Sequence, residues 1–548
     1  MTAFLIENIA PIMFFSLIVL MLLGFPVAFS LAACGIIFAF VGIELGLLSS
    51  SLLQVLPQRV FGIMMNDVLL ALPFFTFMGL LLERSGMAED LLETVGQLFG
   101  PVRGGLAFAV IAVGALLAAT TGVVSASVIS MGLISLPIML RYGYDRSVAT
   151  GVIAASGTLS QIIPPSLTLI ILADQLGRPV GDMYQGAIIP GLVLTGAYML
   201  YVAYIALFRP RKTPSLPAEV MAGRTEKGRS GALSLLVAFA VGGVVTWIGM
   251  SLLVDPEATR GARTVLALSG WSLVVFAIAC VDRLLSLSLL SQIAQRTIFA
   301  MVPPLTLIFL VLGTIFIGVA TPTEGGAMGA LGALVLALAK KRLSLARFYQ
   351  AMEATMRLTS FAIFILVGST VFALTFRAVN GDLWVEHLLL NLPGGELGFL
   401  IFVSVFVFIA AFFLDFFELA FIVIPLIGPV AETFGIDMVW FGVLIAVNMQ
   451  TSFMHPPFGL ALFYLRSVAP SRDYADKVTG QSVARVTTGQ IYRGSIPFIC
   501  IQLAMVILVL MFPQMVTHYK AAHVDDVDPA SVEISVGGAD YGSASPFD

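Results

Sequence analysis

Residues 156–166 read Ser-Gly-Thr-Leu-Ser-Gln-Ile-Ile-Pro-Pro-Ser, and residues 448–459 read Asn-Met-Gln-Thr-Ser-Phe-Met-His-Pro-Pro-Phe-Gly. Each stretch sets two adjacent prolines inside an apolar run long enough to be a helix. Proline has no N–H, and its ring clashes with the carbonyl four residues earlier, so both runs must break. Working outward, Pro137, Gly143, Asp145, Pro164 and Pro165 recur as Pro429, Gly435, Asp437, Pro456 and Pro457, each 292 residues later. A single kinked helix is common in membranes, but two breaks at one offset mark two copies of one unit.

An apolar segment precedes each unit. Residues 106–140 are interrupted at Thr120-Thr121-Gly122, and residues 397–431 at Leu414-Asp415. A bilayer core of about 30 Å needs roughly 20 residues per helix, so each half is short for a full crossing. Both segments read as re-entrant hairpins. Irregular backbone at that depth survives only where protein or a wet cavity covers it.

The whole chain demands such a setting. Of 548 residues, 59% are hydrophobic and 11% charged, with a mean hydropathy of +1.01. That is under half the usual charge, which excludes a soluble enzyme. The net charge of -4 and the lack of a long basic run exclude nucleic acid as a partner. Cys34, Cys280 and Cys500 have no metal-ligand spacing and read as buried small apolar residues. Residues 1–10 lack the basic stretch of a cleavable signal, so the first apolar run should persist in the mature protein. No phosphate-binding glycine loop, nucleophile triad or metal cluster is present; no catalytic residue or cofactor is expected.

Charge sets the orientation. If the hairpins return and the segments 10–48 and 298–339 each cross twice, 21 loop positives fall on one side. They come from the loops around Arg84 to Arg103, Arg141 to Arg146, 209–229, Arg283 to Arg296, Lys340 to Arg347 and Arg466 to Arg493. Only Arg59, Arg178, Arg260 and Arg263 fall on the other. The richer side is cytoplasmic. The first hairpin then enters from the cytoplasm and the second from outside. Inverted repeats with paired broken helices are the architecture of secondary transporters, with substrate and coupling-ion sites at the breaks.

The breaks carry usable chemistry. Pro164-Pro165 frees carbonyls near Ser160 and Gln161, and Pro456-Pro457 frees them near Ser452 and Phe453. A carbonyl freed in an apolar interior must find a partner, and Na⁺ accepts several neutral oxygens. Expected ion-site residues are Thr121, Gly122, Val123, Ser160, Ile163 and Pro165 in the first unit. In the second they are Asp415, Asn448, Thr451, Ser452 and Pro457. Helix N-termini facing the gap would attract an anionic substrate. Its expected region takes in Ser125, Ser156, Pro164, Ser166, His455 and Pro456, with Thr321, Thr323 and Glu324 at a third interruption. Thr321-Pro322-Thr323-Glu324 also has capping-box spacing, and capping is the first expectation for Glu324. Asp415 and Glu418 have the same spacing, so Asp415 reads equally as cap or site. Asp145 and Asp437 read as N-caps, and His455 reads first as structural, since Ile163 is its counterpart.

Thr121-Gly122-Val123-Val124, Gly143-Tyr144-Asp145, Ile162-Ile163-Pro164-Pro165-Ser166, Gly318-Val319-Ala320-Thr321-Pro322-Thr323-Glu324 and Pro456-Pro457-Phe458-Gly459 together resemble the large membrane subunit (DctM-like) of tripartite ATP-independent periplasmic (TRAP) transporters. The likeness covers about residues 10–208 and 298–515. It implies an elevator mechanism, Na⁺-driven uptake of an organic acid, a small membrane subunit (DctQ-like) and a periplasmic solute-binding protein. That family's first hairpin tip commonly reads Ser-Gly-Ser-Ser, whereas this one is Thr121-Gly122-Val123-Val124.

The expectation is therefore an all-α, multi-pass bacterial inner-membrane protein. Its parts are scaffold helices in 1–104, a first hairpin and broken helix in 105–208, and a cytoplasmic linker with two extra spans in 209–297. A second scaffold (298–395), hairpin and broken helix (396–470), loop and last helix (471–517) and disordered periplasmic tail (518–548) follow. The alternative is a self-contained organic-anion symporter of related fold that needs no binding protein.

Overall fold

In the computed structural model the chain is helical almost throughout; the structure describes residues 2–217, 231–254, 260–286, 289–476 and 478–520. Among these, ten helices are long and apolar enough to cross a bilayer. Among the described residues, strand pairing is confined to Tyr474–Ala475 with Ser482–Val483 in one loop.

The first half runs α1 (Ile9–Leu22), α2 (Val27–Glu44), α3 (Asp67–Arg84), α4 (Met87–Phe99), hairpin arms α5 (Gly105–Thr121) and α6 (Val124–Arg141), the broken pair α7 (Arg146–Thr158) and α8 (Leu167–Gln175), and α9 (Val180–Phe208). Two further helices follow, α10 (Gly231–Leu253) and α11 (Arg260–Leu284). The second half repeats the plan with α12 (Gln292–Phe316), α13 (Pro322–Ala339), α14 (Leu345–Ala378), α15 (Gly381–Leu390), hairpin arms α16 (Gly395–Ala410) and α17 (Phe416–Thr433), broken pair α18 (Met438–Ser452) and α19 (Leu460–Val468), and α20 (Thr488–Met511). Within α17, residues Leu419–Val423 form a π-turn.

The repeat reaches further than the proline units. Left-handed residues close matching turns at Gly24 and Gly318, Gly86 and Asn380, Gly104 and Gly394, and Gly143 and Gly435. Their separations run from 290 to 294 residues. Glycine takes this conformation freely, and asparagine is among the few other residues that tolerate it. Packing obeys the same exchange: α2 lies along α14, and α3 lies along α13. The crossing of α2 and α14 is tight, since a Cβ on Gly35 would lie 2.7 Å from Val371 O and one on Gly368 2.4 Å from Ala28 O.

Local rules account for the helix starts. Asp145 accepts from Ser147 N and Val148 N, and Asp437 from Val439 N and Trp440 N, so both are N-caps. Asn66, Ser291, Ser344 and Thr487 cap α3, α12, α14 and α20.

The sequence reading and the structure differ at several places. The short helices α4 and α15, each between a scaffold helix and a hairpin, were not expected; they are too short or too amphipathic to show as spans. The first part of the basic 209–230 stretch is docked: Thr213 O accepts from Gly104 N at 3.0 Å, and Leu216 N donates to Gly100 O at 2.9 Å. Residues 218–230, and 521–548 of the expected disordered tail, lie outside the described residues, while Lys520 pairs with Asp437. Cys34 is buried, but Cys280 is half-buried and Cys500 exposed. Cys500 sits on an exposed apolar face with Ile496, Leu503 and Ile507.

The extra helices α10 and α11 pack on each other and on α12 around their own small core of Leu235, Val275, Ala279 and Ile298. Asp282 is buried at their base and accepts from Leu289 N, Leu290 N and Gln295 Nε2 at 2.7–3.1 Å.

Candidate functional site

Two geometric facts build the site. The first is that each hairpin tip lands on its own repeat's broken helix. Gly122, left-handed at φ +61, turns the first hairpin, and a Cβ there would sit 3.0 Å from Leu167 Cγ and 3.3 Å from Leu167 N, just past Pro164-Pro165. In the second hairpin Phe412 lies 5.0 Å from the His455 ring, and Phe413 lies 5.5 Å from Phe458. Asn448 Nδ2 donates to Ser404 O at 2.6 Å, and Ser452 Oγ to Phe408 O at 3.1 Å, zipping α18 to α16.

The second fact is that the two units run in opposite directions. The loop after α8 reaches the base of the second hairpin, where Arg178 Nη2 meets Glu432 Oε1 at 2.8 Å. The loop after α19 reaches the base of the first, where Arg141 grips Asp476 through two bonds of 2.9 Å. Each hairpin base thus stands beside the far end of the other broken helix, and the tips point inward from opposite ends. Asp476 also accepts from Thr479 N and Thr479 Oγ1. The Arg141 guanidinium, followed by Thr479, holds the Asp476 carboxyl well below the usual carboxylate range.

The units meet at a buried polar centre. Gln450 Nε2 donates to Thr158 Oγ1 at 3.3 Å. These two residues are 292 apart and so occupy equivalent places, which sets this contact on the axis relating the halves. Gln502 Nε2 also donates to Thr158 Oγ1, at 3.3 Å, and to Tyr198 OH at 2.8 Å. The amide oxygens of Gln450 and Gln502, and both amide atoms of Gln161, are buried without a protein partner. Water molecules are the usual partners for such groups.

At the first break Pro164, Pro165, Ser166 and Ser160 are buried. Of the carbonyls freed there, Gln161 O is taken by Ser166 Oγ at 2.7 Å. The equivalent Phe453 O is taken by Ala461 N at 3.0 Å. Each thus has one partner within the break and keeps a second lone pair. The hydroxyls remain usable: Ser160 Oγ donates to Gly157 O at 2.9 Å and Thr451 Oγ1 to Asn448 O at 2.6 Å, which leaves their lone pairs as acceptors. The Thr121 side chain lies outside the described residues. Ser125 is half-buried in the first turn of α6, whose N-terminus at Val123 has no side-chain cap. The N-terminus of α8 likewise lacks one. Two uncapped, positive helix ends thus converge below the first tip. Both Pro-Pro bonds, Pro164-Pro165 and Pro456-Pro457, are cis.

The second tip has the opposite sign. Asp415 Oδ1 accepts from Phe416 N at 2.7 Å, and Glu418 Oε2 accepts from Asp415 N at 2.9 Å, a complete capping box that sets two carboxylates at the tip. Pro457 and Phe458 below it are exposed, and Pro456 is half-buried.

Several expected residues are not brought into this site. Thr321 and Glu324 form the capping box of α13 on the scaffold, Thr323 Oγ1 donates to Asp67 O, and α13 packs on α3 and α12. The shared spacing of Thr, Pro and Glu marks a helix start. Ser156 is fully buried against the first hairpin arm, where a Cβ on Gly114 would lie 2.5 Å from Ser156 Cβ. Ile163 packs on Gly191 of α9, whereas its counterpart His455 lies between Phe408 and Phe412 with Nδ1 unpartnered. Gln161 and Gln502 went unnamed as site residues. A lone glutamine in an apolar run was the signal, and it was legible at Gln502.

Residues 14–515 match the family described as the tripartite ATP-independent periplasmic transporter, DctM component. The chain is 26% identical over 472 residues to the C4-dicarboxylate TRAP transporter large permease protein DctM of Pseudomonas aeruginosa, covering 85% of this chain and 89% of that one. It is 26% identical over 511 residues to the ectoine/5-hydroxyectoine TRAP transporter large permease protein UehC of Ruegeria pomeroyi, covering 92% and 97%. In fold it is similar to the crystal structure of the Alcanivorax borkumensis YdaH transporter, with a TM-score of 0.51 and 14% identity over 85% of this chain and 90% of that one.

Proposed function

The chain belongs to the DctM family of tripartite ATP-independent periplasmic transporters, and we propose from that premise that it imports an organic acid across the bacterial inner membrane on a sodium gradient. It is a large permease and not an enzyme, as its relatives are. Their substrates differ, C4-dicarboxylate in one and ectoine in another, so the substrate does not follow from the family.

The observation that carries the reading is the pair of oppositely directed hairpin tips seated on the two breaks. The uncapped helix ends at Val123 and Ser166 favour a carboxylate. Asp415 and Glu418, with Asn448 and the hydroxyls of Thr451 and Ser452 on the same broken helix, favour a small hard cation. Thr121, Gly122, Val123 and Ser160 would supply the second place for an ion. The hairpins, broken helices, α9 and α20 pack around the Thr158 centre and would move together against the scaffold. A periplasmic binding protein would deliver the acid, and a small membrane subunit would support the scaffold.

The test is uptake into proteoliposomes holding this chain and its small subunit, with acid-loaded binding protein outside. Uptake should rise several-fold with an inward sodium gradient and vanish without the binding protein. Equal uptake in potassium would remove the sodium assignment, and full uptake without binding protein would favour a self-contained symporter.

A further inference from the structure

Glu83 ends the apolar stretch of α3 on the face that meets the first hairpin. Its Oε1 accepts from Ser130 Oγ on α6, while Oε2 is sealed from solvent with no hydrogen-bond partner. α3 packs on α13 and α14 and also on α5 and α8, whereas α6 packs on α7 and α19, so Glu83 and Ser130 bridge two groups of helices.

No described cation forms an ion pair with this carboxylate, and Arg84 acts on it only at a distance. Arg84, next in the chain, donates to Gln350 Oε1 on α14 at 2.8 Å. On α4, Asp90 takes Lys340 and Arg342, and the remaining charges there, Glu89 and Glu93, are acidic. On α14, Arg357 pairs with Glu353, and Arg347 turns to Arg342 O. α5 carries no charged residue, α6 only Arg141, held by Asp476, α13 only Glu324 at its distant start, and α8 only Asp174 at its distant end. An ionised carboxylate with one hydroxyl donor and no ion-pair partner is poorly tolerated out of water, whereas the neutral acid is far less penalised. Buried ionisable groups within membrane proteins are accordingly functional by default.

We propose that Glu83 is a proton-binding site at the boundary between scaffold and first hairpin, protonated while α3 and α6 are packed together and ionised when they part. The proposal rests on the reading that the hairpin moves against the scaffold. At the matching boundary of the second half, the place of Glu83 and Ser130 is taken by a neutral pair, Ser369 Oγ on α14 donating to Phe421 O on α17 at 2.5 Å. Because the packed state holds one more proton than the parted state, rising pH shifts the balance toward parting.

Hydrogen exchange of the α6 amides, measured on the purified full chain in lipid nanodiscs from pH 5 to 8 and divided by the intrinsic rate, tests this. In the wild type, protection should fall with rising pH, by up to about tenfold per pH unit for a single proton. In Glu83→Gln, and in the apolar Glu83→Met, protection should hold constant across the range. Wild type and Glu83→Gln sharing one pH profile would overturn the proposal, as would wild-type protection that follows sodium and ignores pH. A disulfide between Glu83→Cys and Ser130→Cys tests the underlying motion separately. Uptake lost on oxidation and restored by reduction is expected, and uptake that survives oxidation removes the moving hairpin itself.

Discussion

At the first break Pro164, Pro165 and Ser166 are buried, and the hairpin above them ends in an uncapped helix N-terminus; at the second, Pro457 and Phe458 are exposed and the hairpin ends in two carboxylates. The backbone plan is common to both: hairpin, left-handed glycine turn, capped helix, two prolines. The side chains reverse the electrostatics. One tip presents positive helix ends and small hydroxyls, the other Asp415, Glu418 and an aromatic cluster with His455. Duplication of a backbone therefore supplied two equivalent cradles, and the tips diverged in charge.

The comparison can be broken most forcefully where the halves pack. A Cβ on Gly494 of α20 would lie 2.0 Å from Ser147 O, and one on Gly151 of α7 2.1 Å from Gly494 O. Neither backbone can yield cheaply, so Gly494→Ala should destabilise by about 3 kcal/mol or more, or abolish folding. The equivalent of Gly151 is Val443, where side chains already separate the helices; Val443→Ala should cost less, about 1–2 kcal/mol. Thermal unfolding of the purified chain measures both, and equal losses would deny that the two crossings differ.

Next in size is the shared centre. Thr158→Val removes the oxygen that accepts from both Gln450 and Gln502 and strands a buried donor, an expected loss of about 2 kcal/mol. A loss confined to one half's hydrogen-exchange protection would show that Thr158 does not join them.

Asp415→Ala should cost about 1 kcal/mol of stability through the cap. Asp415→Asn keeps the cap and removes the charge, so a stable variant with a weakened sodium response separates site from cap. A sodium response equal to wild type leaves Asp415 as a cap alone.

The smallest effects concern the two hairpin bases. Arg178 and Glu432 are both well exposed, and Glu432→Gln should change stability by under about 0.5 kcal/mol. Asp476 is different, because its carboxyl is held below the usual range by Arg141. Its contribution is present above the ordinary carboxylate range and is lost only as pH falls through the depressed value. Asp476→Asn should therefore lower the melting temperature at pH 7, and the gap to wild type should persist at pH 4; a gap that closes between pH 7 and 5 would contradict the pairing.

Much of this molecule was legible in its sequence because the informative signals are local. Paired prolines break a helix wherever they fall, Asp145 and Asp437 cap the next few amides, and Thr321 with Glu324 closes a box three residues wide. Hydropathy and loop charge located the spans by the same kind of short-range counting. The helices α4 and α15 escaped because short amphipathic segments have no hydropathy signal, although their left-handed boundaries at Gly86 and Asn380 were in register.

What the sequence by itself determined is an inverted, twice-broken membrane transporter and the places of its breaks. The tertiary structure alone decided which groups partner the freed carbonyls, that Ser156 faces packing and Glu324 caps a helix away from the site, that Arg141 belongs to Asp476, and that Glu83 is sealed without an ion-pair partner. Proline geometry and helix capping act over a few bonds and can be read along the chain. The partner of a buried polar group comes from residues hundreds of positions away, and only packing brings them together.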